Sequence, residues 1–183
     1  MPDPFDRFLR RPLEDVLVTQ GLLTREKANE LVATAQTAGE PLSVVVLESG
    51  TLTAWDLARL VATHYQMPVQ PLLGYRFDKD LAFGLKPEVL HRYQVLPLGV
   101  FGNTRTFAIA EPPCKPVLDE LTAMCGGNSI FFFVSEAPEI AKTLREHVKV
   151  VDSAADAGWQ RLFDSAEEEV AKGLGRPKTR ASS

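Results

Sequence analysis

Residues 173–179, GLGRPKT, have the outline of a phosphate loop, in which backbone amides cradle phosphates while a Lys and a Thr reach phosphate and magnesium. That chemistry requires Gly, four residues, Gly-Lys-Thr/Ser and a preceding strand. Here Lys178 follows Pro177 and the preceding stretch is acidic, so the segment reads as a basic tail and not as a nucleotide site. His64, His91 and His147 stand in separate helical segments without HxH, HxxxH or Cys-His spacing, so no metal site is expected. Cys114 and Cys125 flank an apparent helix and read as free thiols. The acids form no apolar-framed pair of the kind that acid/base catalysis uses. No catalytic residue is assigned, and the chain is not expected to be an enzyme. Arg10 and Arg11 are the remaining basic pair, beside the stretch that organises the N-terminal half.

That stretch is a duplicated phrase, PLEDVLVTQGLLTREKANELV from Pro12 and PLSVVVLESGTLTAWDLARLV from Pro41. Gly21 and Gly50, Leu23 and Leu52, Thr24 and Thr53, and Leu31 and Leu60 all keep an offset of 29 residues. A constant offset indicates an internal duplication of one helix-turn-helix unit. Leu13, Val16, Leu17 and Gln20 predict a short helix that Gly21 stops. Thr24 then caps a helix carrying Ala28, Leu31, Val32 and Ala35 on one face and ending near Gly39. In the second unit, Val45, Val46 and Leu47 favour a strand by propensity, but the duplicated frame predicts a helix ending at Gly50. Thr53 caps the next helix, with Asp56 as the acid of a capping box and Leu57, Leu60 and Val61 as the buried stripe.

The pattern changes after Pro68. VQPLLGYRF reads as a connector with short extended pieces, and Pro87 opens a short helix ending before Val95. Residues 95–101 and 104–110 read as strands joined by a tight turn at Gly102-Asn103. A helix with Val117, Leu118, Leu121 and Met124 closes at Gly126-Gly127, and a third strand spans 129–134. Phe131, Phe132 and Phe133 would place phenyl groups on both faces of that strand, and burial on both sides is expected, with a partner surface as the rival account. Ile140, Leu144 and Val148 mark a final helix of this lobe. Trp159, Leu162, Phe163 and Ala166 suggest one more helix before a disordered basic tail.

The expected fold class is therefore α+β: a small N-terminal helical lobe of duplicated helix-turn-helix units packed with a C-terminal β-β-α-β-α lobe. The expected divisions are an N-terminal arm (1–11), the duplicated lobe (12–68), a connecting segment (69–94), the α/β lobe (95–150), and a helix with a basic tail (151–183). With 183 residues, 45% of them hydrophobic and 24% charged, the chain is long enough to bury a substantial core. A formal charge of −4, and no alternation of aromatic and basic residues, argue against a nucleic-acid polymer as partner. No apolar run is long enough to span a bilayer and no signal-peptide pattern precedes one, so cytoplasmic residence without membrane insertion is expected.

Together, the duplicated PL…LVxxGxLT phrase and the ordered segments RYQVLPLG, TFAIAEP and LDEL resemble the N-terminal domain of type II secretion and type IV pilus assembly ATPases, the GspE/MshE type. The resemblance runs from about residue 10 to residue 148. It implies a helical lobe followed by an α/β lobe, here without the ATPase core. The implied role is a non-catalytic regulatory or protein-interaction domain whose partner is a protein of a secretion, pilus, motility or signalling system.

The resemblance also implies an alternative, since some members bind cyclic di-GMP through two tandem motifs of Arg-Leu-Gly, two residues, Leu-Val, two residues and Gly. By register, Leu13, Leu17, Val18, Gly21 and Leu23 take the apolar and glycine positions of the first motif. Leu42, Val46, Leu47, Gly50 and Leu52 take those of the second. The early glycine is replaced by Glu14 and Ser43, and the leading arginine by Pro12 and Pro41, with Arg10 and Arg11 beside the first vacancy. Glu14 puts an anion where a dianionic ligand needs access. No other cofactor is expected.

Overall fold

The computed structural model describes residues 5–150. The helix expected around Trp159 to Ala166, the basic tail and the GLGRPKT segment lie outside the described residues.

Each duplicated phrase folds as a short helix, a glycine turn and a longer helix. A first short turn of helix, α1 (Asp6–Leu9), precedes α2 (Leu13–Thr19) and α3 (Arg25–Ala38) of the first unit. The second unit contains α4 (Leu42–Glu48) and α5 (Ala54–Tyr65). Gly21 and Gly50 occupy the same left-handed conformation, φ 70° and 71°, at matching places after α2 and α4. A side chain is disfavoured in that conformation, which explains why both units break at glycine. Thr24 accepts from the Lys27 amide at 3.2 Å, and Thr53 accepts from the Asp56 amide at 3.1 Å. The capping box differs in detail from expectation, because the Asp56 carboxylate accepts from the Thr53 hydroxyl at 2.7 Å rather than from its backbone amide. An aspartate is one methylene shorter than the glutamate usual at that position and finds the nearer donor.

The connector is better ordered than its composition suggests. Val69 bridges to Val134 in parallel, supported by hydrogen bonds from Val134 N to Pro68 O and from Gln70 N to Val134 O, each 2.8 Å. A short 3-10 turn at Lys79–Ala82, capped by Asp78, lies against the sheet, and α6 (Pro87–Tyr93) starts at its proline as expected.

The sheet has the order β1 (Leu96–Phe101), β2 (Thr104–Ile109), β3 (Ser129–Val134), with β1 and β2 antiparallel and β2 and β3 parallel. Phe101 pairs with Thr104, so Gly102-Asn103 is a two-residue turn. Its positive φ falls on Gly102 alone, the pattern of a II′ hairpin. α7 (Lys115–Cys125) supplies the crossover that a parallel pair requires, and α8 (Ala137–His147) lies against β1 and β2.

One continuous hydrophobic cluster runs from Phe8 and Leu17 through Val61 and Tyr65 to Phe107, Leu121 and Leu144. Phe132 lies 6.1 Å from both Phe5 and Phe8 and 6.3 Å from Phe107, joining the N-terminal arm to the sheet. Burial of phenyl groups on both faces of β3 does not occur. Phe131 meets Phe133 edge-on at 5.2 Å and remains 41% exposed, because the helices that pack on β3 leave this end of its second face uncovered. Among the described residues no helix is long and apolar enough to cross a membrane.

Candidate functional site

The N-termini of α2 and α4, equivalent points of the duplication, converge on the segment that leaves β2. That segment is Glu111-Pro112-Pro113-Cys114, and it borders a small pocket together with Leu13, Glu14 and Leu42. A larger cleft of about 420 Å³ continues from it. Its walls come from the α3–α4 connection, the C-terminal end of α6 and the β2–α7 loop.

Glu111 is the polar centre of this region. Its Oε2 accepts from the Ser43 amide at 2.5 Å, satisfying one of the amides that the first turn of α4 leaves without an intrahelical partner. Two prolines follow Glu111, so the loop has no amide of its own at those positions to offer its carboxylate. Although the residue as a whole is only half-buried, its carboxyl is packed deeply enough that desolvation raises its pKa above the ordinary value of 4.5. The amide and hydroxyl of Ser43 act in the opposite direction, and the nearby charge of Glu14 adds to the rise. The Ser43 hydroxyl is thus close enough to influence the carboxylate, yet it makes no hydrogen bond of ordinary geometry. Tyr65 is perturbed in the same sense, first by burial and then by Glu14, Asp15 and Glu111, and its hydroxyl donates to the Arg11 carbonyl at 2.5 Å.

The ligand positions drawn from the resemblance separate into distinct environments. Leu13, Leu17 and Val46 are buried in the core. Val18, Leu23, Leu42, Leu47 and Leu52 are half-buried, and of these Leu42 lines the cleft. Gly21 and Gly50 form exposed turns at the far ends of α2 and α4. Arg10 and Arg11 border a different, shallow basin with Arg7 and His64. Arg10 is further engaged by Asp6 at 2.9 Å. Among the described residues no group of three His, Cys, Asp or Glu is arranged to hold a metal ion.

Glu111 was assigned no role from sequence, although one signal was present: an acid directly after the apolar run Phe107 to Ala110, where desolvation is to be expected. Gln94, which ends α6 in the left-handed conformation at φ 51°, gave no comparable signal.

This architecture, a duplicated helical layer packed on a three-stranded α/β layer, is shared with solved structures of other proteins. A structure of MshE with cdg (cyclic di-GMP) superposes with a TM-score of 0.56 at 20% identity, covering 75% of this chain and 99% of that one. Two structures of the N-terminal domain of XpsE superpose with TM-scores of 0.51 and 0.53 at 16% and 18% identity, each covering 72% of this chain and 90% of theirs. These likenesses show a shared fold. No curated protein sequence matches the chain. Residues 65–154, just under half of the chain, match the family model described as the MshEN domain. The matched residues begin at the last residue of α5, so both duplicated phrases lie before them.

Proposed function

We propose that this chain is a non-catalytic regulatory or protein-interaction domain, cytoplasmic, acting with a protein of a type II secretion, type IV pilus or motility system. The observation that carries this reading is the MshEN match within a fold shared with XpsE and MshE N-terminal domains. The cleft at the duplicated N-termini supports it. Its acids, Glu14, Glu40 and Glu111, are accompanied by a single cation among the lining residues, Arg92, an arrangement suited to holding a partner group. Affinity purification of the full chain from its native cell tests the reading. Co-purification of a secretion, pilus or motility component is the expected result, and repeated recovery of none of them would count against it.

A second reading, cyclic di-GMP receptor, is favoured by one observation: the MshE structure that shares the fold is a structure with cdg. Electrostatics oppose it here. Glu14 and Glu111 place two acids at the convergence of α2 and α4, and the Ser43 amide is already occupied. Calorimetry at high micromolar cyclic di-GMP is expected to give no binding heat, and a saturable heat would establish the receptor reading instead.

A further inference from the structure

Two buried oxygens at the cleft, on Gln94 and Ser43, receive no hydrogen bond from the described residues. The Gln94 amide is fixed in orientation because its Nε2 donates to the His91 carbonyl at 2.8 Å, and a carbonyl can only accept. Its Oε1 is therefore the atom left over, buried and without a partner. Ser43 is 1% exposed, and its Oγ is likewise buried without a partner. Glu111 stands beside them, its Oε2 accepting from the Ser43 amide and its carboxylate carrying the negative charge of this corner. All three residues line the same cleft, with apolar walls from Val32, Leu42, Val95, Ile109 and Val117.

A ligand that completes this set must bring several donors, positive charge and an apolar stem. A phosphate is wrong on the first two counts, since it brings acceptors and negative charge. A guanidinium has five N–H donors in a planar fork and no acceptor, whereas an ammonium concentrates three donors on one atom. We propose that the cleft receives an arginine side chain presented by a protein partner, its guanidinium set among Glu111, Gln94 and Ser43 and its methylenes against the apolar walls. This rests on the interaction-domain reading and specifies the group by which the partner is held. Charge complementarity selects the occupant: Glu14, Glu40 and Glu111 face the cleft against Arg92 alone. The guanidinium stays charged at every accessible pH, so pH dependence comes from Glu111. Ser43, Glu14 and Tyr65 interact with Glu111, and Glu40, Arg92 and Cys114 are the other titratable or charged groups that line the cleft. Acid neutralises Glu111 and weakens binding.

The experiment is a titration of the isotope-labelled full chain with the capped tripeptide Leu-Arg-Leu, followed by amide shifts. Its lysine and citrulline counterparts, free arginine amide and cyclic di-GMP serve as comparison arms. Saturable shifts at Ser43, Gln94 and Glu111 are expected with the arginine peptide. Citrulline or lysine should bind about tenfold more weakly, as loss of a charge-assisted bidentate contact implies. Glu111→Gln should weaken binding by a similar factor. Ser43→Ala, which keeps the amide bonded to Glu111 and so protects the fold, should weaken it several-fold. Equal binding of the citrulline peptide, shifts away from the cleft, or free arginine amide binding as tightly as the peptide would each overturn the proposal. Failure is distinguishable from failure of the broader reading: a chain that captures a pilus or secretion protein while ignoring the arginine peptide remains an interaction domain without this site.

Discussion

Glu111 shows how a single carboxyl records its surroundings. Its pKa is raised by burial first and by Glu14 last, with Ser43 opposing. A carboxyl with a raised folded-state pKa holds its proton more tightly in the native state than in the unfolded one. Between the ordinary value of 4.5 and the raised one, the native state therefore binds more protons and stability falls as pH rises. The favourable contribution is complete below the ordinary carboxylate range and is lost as pH climbs through the raised pKa. Glu111→Gln, an uncharged mimic of the protonated acid, is expected to match the parent near pH 4 and exceed it in stability near pH 8. Urea denaturation across that range checks this, and a difference independent of pH would show that the carboxyl does not titrate as its burial requires. Glu111→Ala tests the hydrogen bond itself: the Ser43 amide then loses its partner, at a cost of about 1–3 kcal/mol.

At the scale of elements, the two helix-turn-helix units invite parallel substitution. Thr24→Ala and Thr53→Ala each remove an N-cap and are expected to destabilise by about 1 kcal/mol. The Thr53 change should cost more, because it also strands Asp56. Gly21→Ala and Gly50→Ala meet no atom within 4 Å, so their cost is the left-handed backbone alone, about 1–2 kcal/mol and equal at the two sites. Thermal denaturation of the four variants checks these values, and unequal glycine costs would contradict equivalent turns. The same elements show what local sequence makes legible. Val45, Val46 and Leu47 were readable as helix only because the duplicated frame outweighed their β propensity, and α4 indeed spans Leu42–Glu48. The Gly102 turn, the Pro87 start and β3 followed from chemistry within a few residues. The 3-10 turn at Lys79–Ala82 did not, since its packing on β1 is a tertiary contact. The Ser43–Glu111 bond was equally invisible, because its partners stand 68 residues apart and only the fold joins them.

At the scale of the molecule, the helical units and the α/β layer share one hydrophobic cluster, and the described residues up to Lys149 group as one compact unit. The α/β layer alone is near the lower size limit for an independent core, so its stability depends on what covers it. Phe132 is the residue to test, since its ring meets Phe5 and Phe8 of the N-terminal arm on one side and Phe107 of β2 on the other. Phe8 in turn meets Tyr65 of α5 at 6.2 Å, so loss of the Phe132 ring is felt in both layers. Phe132→Ala is expected to cost about 3–5 kcal/mol, the usual result of emptying a well-packed aromatic site. In a Trp159→Phe background, Trp55 becomes the sole indole and reports from α5, while far-ultraviolet circular dichroism reports from the whole chain. If the layers are one cooperative unit, both signals should move to lower denaturant together and keep a common midpoint. A Trp55 transition that stays in place while the circular dichroism splits would mean that the helical layer folds alone.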